Sequence, residues 1–301
     1  MTESTSDAAR QLVVVPRRHV GRWVAAAVLL LLLAWLGGAF AKADIDWATV
    51  RHYLGAGPLL RGLLITIALT LVAMLVGIVL GTVVGVMRLS RNPVTATVAW
   101  GYVWIFRGTP VYLQLLVWFN LALIFPYLTI PGVTTARTVD LITPFAAAAL
   151  GLGINQGAYT SEVVRGAIQS VDEGQTEAAH AIGMTNWMTL RKVVLPQAMR
   201  VILPPIGNEF IGMVKTTSLA SAIGVTEILN EAQSIYIVNN RIMELLIVCG
   251  IWYLAAVSVL SIAQFYLERH YARGSSSRAL PPTPLQRLRG VFSQARAGAA
   301  R

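Results

Sequence analysis

The sequence predicts an all-α protein: a multi-span transmembrane helical bundle with six spans and both termini on the cytoplasmic side. Two observations carry this reading. Of 301 residues, 55% are hydrophobic and only 13% are charged, with a mean hydropathy of +0.63, which is far too apolar for one or two soluble domains. The apolar residues also come in long runs, and the cations gather in alternate connections between them, which assigns each connection a side of the membrane. The net charge of +10 fits this positive-inside pattern. With no aromatic-interleaved basic module, nucleic acid is not an expected partner. The single cysteine, Cys249, lies inside the apolar run "LLIVCGIWYLAAVSVL", so one chain can build neither a disulfide framework nor a cysteine-rich metal site.

The elements run in order from the N-terminus. Residues 1–22 form a basic cytoplasmic tail, with Arg10, Arg17, Arg18 and Arg22 holding the N-terminus inside. The apolar run at 23–40 is longer than the core of a secretory signal, and Ala39-Phe40-Ala41 is only a fair cleavage site, so it is read as a retained helix. Its outer loop completes the segment 23–58. A second span, 59–87, returns inward to Arg88 and Arg91, and Gly77, Gly81 and Gly85 recur every four residues along it, lining one face for a close neighbour. The stretch "VTATVAWGYVWIF" before Arg107 is too short to cross and return before the next apolar run, and is read as an interfacial or cytoplasmic-side helix holding Trp100 and Trp104 at headgroup level. A third span starts near Pro110 and ends near Pro126, and the Pro- and Thr-rich "PYLTIPGVTTARTVD" lies outside. A fourth, 144–167, comes back in. Residues 168–199 contain Asp172, Glu173, Glu177, His180, Arg191 and Lys192 and must be a cytoplasmic loop, because such a density of charge is costly in lipid. A fifth span, 201–223, and a sixth, 243–266, complete the set, and residues 271–301 form a basic, Pro- and Ser-rich tail that is disordered or lies on the anionic inner leaflet.

The stretch "EAAHAIGMTNWMTLRKVVLPQA", residues 177–198, interrupts this hydrocarbon pattern. Glu177-Ala178-Ala179 continues a helix, Gly183 suits a turn because glycine reaches left-handed backbone angles, and Thr185 or Asn186 can cap a second helix that stops before Pro196. Trp187, Leu190 and Val194, at i, i+3 and i+7, form an apolar stripe beside Arg191 and Lys192. A cytoplasmic hairpin with such a stripe buries it on its own membrane domain, in the lipid headgroups or on another molecule.

The spacing of Glu177-Ala178-Ala179, Gly183, Val193, Leu195 and Pro196 resembles the EAA loop in the membrane-spanning subunits of ATP-binding-cassette importers. Val193 stands where that family usually has isoleucine. "RGTPVYLQL", "GAYTSEVVRGAIQSV", "LPQAMRVILPP" and "KTTSLASAIGVTEI" resemble its polar amino acid uptake branch, and the likeness covers about residues 59–270. The resemblance implies a five-helix importer core preceded by one extra N-terminal helix, in a multi-pass protein of the cell membrane. It also implies a second permease subunit, cytoplasmic ATPase subunits and an extracytoplasmic solute-binding protein as partners, and a small polar amino acid as substrate. Coupling to the ATPase would then fall to Glu177, Ala178, Ala179, Gly183, Trp187, Leu190, Arg191, Leu195 and Pro196. Independently, the chain contains no G-x-x-x-x-G-K-[ST] phosphate loop and is not expected to be an enzyme. No cofactor is expected in it, ATP and Mg2+ belonging to the partner ATPase.

Polar residues within the spans mark the candidate substrate path. Asn155 and Tyr159 share a face of the fourth span with Glu162, and Asn208, Gly212 and Lys215 share one on the fifth, with Glu209 beside them. An amino acid zwitterion needs a cation or amide for its carboxylate and an anion for its ammonium, which Lys215, Asn208 and Glu209 could supply. Thr217 and Ser218 come next in "KTTSL", where the family often has Lys-Asp-Thr-Ser-Leu. Glu162 and Arg165, at i and i+3, are read as a structural pair. No metal site is expected, because the four histidines are scattered. A secondary, ion-coupled transporter and a non-transporting structural subunit are the other readings this hydropathy allows, although no internal repeat favours the first.

Overall fold

The structure, a computed structural model, describes residues 20–130 and 134–272, so the two predicted tails lie almost wholly outside the described residues. The chain divides into two compact units, Met1–Asp46 and Trp47–Arg301.

Within the first unit, helix α1 (Val20–Lys42) is built almost entirely from Ala, Leu, Val, Gly and Trp. Its stretch Trp23–Lys42 has a hydropathy of 2.4 with none of its most apolar window buried. A helix apolar all round and unburied by its own chain is stable only in hydrocarbon or against another molecule.

The described residues of the second unit are helical apart from one β-hairpin. They comprise α2 (Trp47–Leu54), α3 (Gly57–Arg88), α4 (Pro93–Gly108) and α5 (Val111–Phe119). Strands β1 (Tyr127–Ile130) and β2 (Thr134–Arg137), in the Pro- and Thr-rich loop, pair antiparallel with Tyr127 opposite Arg137. Then come α6 (Thr138–Leu141), α7 (Pro144–Gln169), α8 (Glu173–Ala181), α9 (Asn186–Thr189), α10 (Leu195–Thr216), α11 (Ile228–Asn239) and α12 (Ile242–Ala272). Local chemistry sets several of these starts. The Asn92 side chain accepts from Val94 N at 2.9 Å to cap α4, and the Thr143 side chain accepts from Ala146 N at 3.2 Å to cap α7. In both helices a proline comes directly after the cap, where its missing N–H costs nothing.

Among the described residues, three helical stretches are long and apolar enough to cross a membrane: Trp23–Lys42, Gly57–Arg88 and Ile242–Tyr271. Helices α7 and α10, of 26 and 22 residues, have the length for a crossing, which takes about 20 residues, but carry polar and charged groups.

The axis of the bundle is the packing of α3 on α7. Each glycine that the four-residue spacing singled out meets α7. A Cβ on Gly77 would lie 2.6 Å from Gln156 Cγ, one on Gly81 2.5 Å from Thr160 Cβ, and one on Gly85 2.9 Å from Ser161 O. Residue numbers rise together along both helices, so the two run parallel and the chain between them travels back along the bundle once. Leu69, Ala73, Met74, Leu115, Leu152 and Met213, all buried, fill the core between α3, α5, α7 and α10. Gln114 meets Asn155 while Trp118 lies against Gly151, and Glu209 meets Gln156 while Ile202 and Ala198 pack with Val164 and Ala167, so α5 and α10 both run antiparallel to α7.

One sequence expectation is overturned here. The stretch before Arg107 does not lie apart as an interfacial helix. It is α4, which buries Ala99 and Val103 beside Val84 of α3 and reaches the middle of α7, where Tyr102 Oη donates to Ile154 O at 2.5 Å. Helices α4 and α5 form a single ascending path with a break at Thr109-Pro110, and α5 alone, with nine residues, is about 14 Å long at 1.5 Å per residue. The proline that marked a boundary in the sequence is a break inside one path along the bundle.

At the far end of the bundle, Glu227 is fully buried as the cap of α11, accepting from Asn230 N at 2.7 Å and from Tyr253 Oη at 2.8 Å. Desolvation raises its carboxyl above the usual carboxylate range, opposed by these hydrogen bonds.

Candidate functional site

A cavity of about 530 Å³ opens where the α4–α5 break faces α7 and α10. Its walls are Arg107, Gly108, Thr109, Pro110 and Val111 from the break, Leu152, Asn155, Gln156 and Tyr159 from α7, and Glu209, Gly212, Met213 and Thr216 from α10. The contributions of α7 and α10 recur at three- and four-residue intervals, so each helix presents one face.

The break is chemically closed although it is irregular. Pro110 has no N–H, so the carbonyl of Phe106 loses its helical donor. Two side-chain amides replace it: Asn155 Nδ2 at 2.7 Å and Gln114 Nε2 at 3.0 Å. Gln114 Nε2 also donates to Thr109 O at 3.1 Å and Thr109 Oγ1 at 2.8 Å, while its Oε1 accepts from Asn155 Nδ2 at 3.2 Å. Irregular backbone is tolerated at membrane depth only where it is satisfied in this way or lines a cavity.

Charge is arranged on opposing walls. The Arg107 guanidinium stands 5.1 Å from the centroid of the Tyr159 ring and 3.8 Å from Glu162 Oε1, a cation–π contact combined with a long ion pair. Glu162 is held more closely by Arg88 and by Arg165, the latter through Nε at 3.1 Å and Nη2 at 2.8 Å. The i, i+3 pair therefore belongs to a cluster of three arginines from α3, α4 and α7 around one carboxylate. Across the cavity, Glu209 Oε2 accepts from Gln156 Nε2 at 3.4 Å, its one hydrogen-bond partner among the described residues.

Of the residues singled out for a substrate path, Asn155, Tyr159 and Glu209 line this cavity. Asn208 and Lys215 are exposed and do not line it. The cavity face of α10 is the one with Glu209 and Thr216, about 100° round from theirs. Thr217 is buried with its hydroxyl donating to Val214 O at 2.7 Å, and Ser218 Oγ donates to Lys215 O at 2.7 Å. Both belong to the 3₁₀ turn Thr217–Ile223 beyond α10, outside the cavity wall. Arg107, Gln156 and Thr216 were not singled out. The signal for Arg107 was available, since a proline-interrupted apolar segment at membrane depth points to a binding site.

The hairpin between α7 and α10 is the second feature. Asp172 Oδ1 accepts from Gly174 N at 2.8 Å to start α8. Its end is a Schellman turn, with Met184 N donating to Ala179 O at 3.0 Å and Gly183 N to His180 O at 2.9 Å. Gly183 there has φ +81°, the left-handed angle that calls for glycine. Thr185 then caps α9 by accepting from Met188 N at 3.3 Å. The next expectation fails: the helix does not stop before Pro196. A π-helical turn, Leu190–Val194, carries it directly into α10. Pro196 sits in the first turn of α10, and Gln197 Nε2 donates back to Val193 O at 3.0 Å. Widening the helix by one residue accommodates the proline and rotates the residues beyond the turn, so the expected stripe divides. Val194 is buried at 7%, Leu190 is half-buried, and Trp187 is 67% exposed beside Ile182 at 76%. Glu177, Ala178, Arg191, Leu195 and Pro196 are exposed, and Ala179 is buried.

A charged cavity inside an apolar helical bundle, with a hairpin that exposes Trp187 and Ile182 leading into one of its walls, is an arrangement that suits a membrane permease subunit. The chain belongs to the family described as binding-protein-dependent transport system inner membrane component, whose model matches residues 77–273, and it is an integral membrane protein. It is 46% identical over 264 residues to the arginine transport system permease protein ArgU of Corynebacterium glutamicum, covering 87% of this chain and 83% of that one. It is 34% identical over 226 residues to the glutamine transport system permease protein GlnP of Escherichia coli, covering 75% and 97%. A solved structure described as an amino acid ABC transporter with histidines superimposes with a TM-score of 0.65 at 33% identity, over 76% of this chain and all of that one.

Proposed function

We propose that this chain is the inner-membrane permease subunit of an ATP-driven, binding-protein-dependent importer of polar amino acids. It pairs with a second permease subunit, receives substrate from an extracytoplasmic binding protein, and is driven by cytoplasmic ATPase subunits that hold ATP and Mg2+. Both termini and the hairpin face the cytoplasm, with six spans in all. The named functions of the relatives support the amino acid class, and one observation carries the path: the cavity sets the cation Arg107 on one wall and the anion Glu209 on another. A zwitterion presents a carboxylate to the first and an ammonium to the second, each through a charge-assisted hydrogen bond. Asn155 and Gln156 supply amide donors and acceptors between them.

Coupling rests on chain continuity. The hairpin docks on the ATPase through its exposed Trp187 and Ile182, with Glu177, Ala178, Arg191, Leu195 and Pro196 around them. It runs without interruption through the π turn into α10, the helix that carries Glu209, Gly212, Met213 and Thr216. A rigid displacement of the hairpin therefore moves one wall of the cavity against α7.

Uptake of labelled polar amino acids into vesicles holding the assembled transporter tests the reading. Glu209→Gln, which keeps shape and removes charge, is expected to lower the maximal rate about tenfold per transporter, the loss of one charged hydrogen bond. Arg107→Ala is expected to do at least as much. Wild-type rates in both variants would overturn the proposed path.

A further inference from the structure

We infer that Gln114 is a positioning residue of the permeation path: it acts on substrate through Arg107, by fixing the break between α4 and α5. The inference rests on the cavity being the substrate path. Arg107 is the second-last residue of α4 and has no covalent constraint beyond the break next to it. Its direction into the cavity depends on where α4 ends and how the chain turns at Gly108, Thr109 and Pro110. Four hydrogen bonds of one side chain set that turn. Gln114 Nε2 reaches back across the proline to both carbonyls flanking Arg107 and Gly108, Phe106 O at 3.0 Å and Thr109 O at 3.1 Å, and to Thr109 Oγ1 at 2.8 Å. Its Oε1 accepts from Asn155 Nδ2 at 3.2 Å, which ties the break to the middle of α7.

Gln114 is itself 6% exposed and absent from the cavity wall, so it does not meet substrate. The neighbouring Gly108 would accept a Cβ with nothing within 4 Å. Packing therefore leaves the break free at that point, and the polar clamp holds it. Release of the clamp leaves Phe106 O to Asn155 alone and lets the end of α4 shift, taking the guanidinium away from the Tyr159 ring.

A double-mutant cycle in the assembled transporter tests this, with uptake normalised to the amount of permease in the membrane. Gln114→Leu and the isosteric Gln114→Glu, which loses the donor, are each expected to lower the maximal rate about tenfold, since misplacing a contact group by an ångström is enough for such losses. Combined with Arg107→Ala, either should add less than a further twofold, because both changes remove the same contact. A position that served only general stability would give independent, multiplying losses, and that result overturns the inference, as does a wild-type rate in Gln114→Glu. The two readings fail differently. Wild-type rates in both Arg107→Ala and Glu209→Gln remove the cavity reading itself, whereas an impaired Arg107→Ala with additive Gln114 effects removes only the role of Gln114. If Gln114→Leu does not reach the membrane, the cycle is read from Gln114→Glu.

Discussion

Gly81→Leu is expected to part α3 from α7 and leave little or no folded subunit in the membrane. The first atom added would already stand 2.5 Å from Thr160 Cβ, 2.7 Å from Thr160 Cγ2 and 2.9 Å from the carbonyl oxygen of Gly157. Contact with a β-branched side chain and with backbone leaves nothing that can swing aside. Overpacking a core by extra methylenes costs roughly 1–3 kcal/mol, and here it also opens the contacts at Gly77 and Gly85 on the same face. With no hydrophobic force between helices in lipid, such close approach of backbones is a main source of association. Thermal unfolding of the detergent-purified subunit, compared with Gly101→Leu, measures it. Gly101 has nothing within 4 Å of an added Cβ, so that control should match wild type. Equal melting of both variants and wild type would contradict the α3–α7 packing.

How much of this was legible in the sequence depended on whether a feature is local. The glycine spacing on α3, the turn at Gly183, the Thr185 cap and the shared face of Asn155 and Tyr159 arise from short-range geometry, and each is found where the pattern puts it. The orientation of α10 was not legible in that way. Periodicity groups Asn208 with Lys215 and Glu209 with Thr216 equally well, and only packing against α7 decides which pair looks into the cavity. The α4–α5 break escaped for a related reason. A proline ends a helix in isolation, but here Gln114 and Asn155 supply the donors it lacks, so the path continues. One of those donors comes from α7, 41 residues further along the chain than the other, and no local pattern announces it. The π turn before Pro196 is the same lesson at the hairpin, where one extra residue per turn let a helix run on and sent Trp187 and Val194 to different faces.

Trp187→Glu should abolish ATP-driven uptake while leaving the subunit folded in the membrane. Trp187 is 67% exposed and Ile182 76% exposed on the hairpin, and neither fills the core, so their substitution is not a loss of packing within the chain. Aromatic anchors of this kind contribute about 2 kcal/mol or more when an interface buries them, and a carboxylate there would be desolvated without a partner. Gly183→Asp should act on the same surface by a different route. Nothing lies within 4 Å of an added Cβ at that position, but its φ is +81°. The cost is therefore backbone strain of roughly 1–2 kcal/mol, relieved by opening the Schellman turn that sets α8 against α9. Glu177→Ala tests the exposed acid beside them. Co-purification of ATPase subunits with each variant, beside thermal unfolding of the permease alone, separates the effects. The expected result is lost ATPase and lost uptake at an unchanged melting temperature for Trp187→Glu, with partial loss for Gly183→Asp. Full ATPase retention and wild-type uptake in all three would sink the assignment of this hairpin as the coupling surface, and would leave its exposed tryptophan to the membrane headgroups instead.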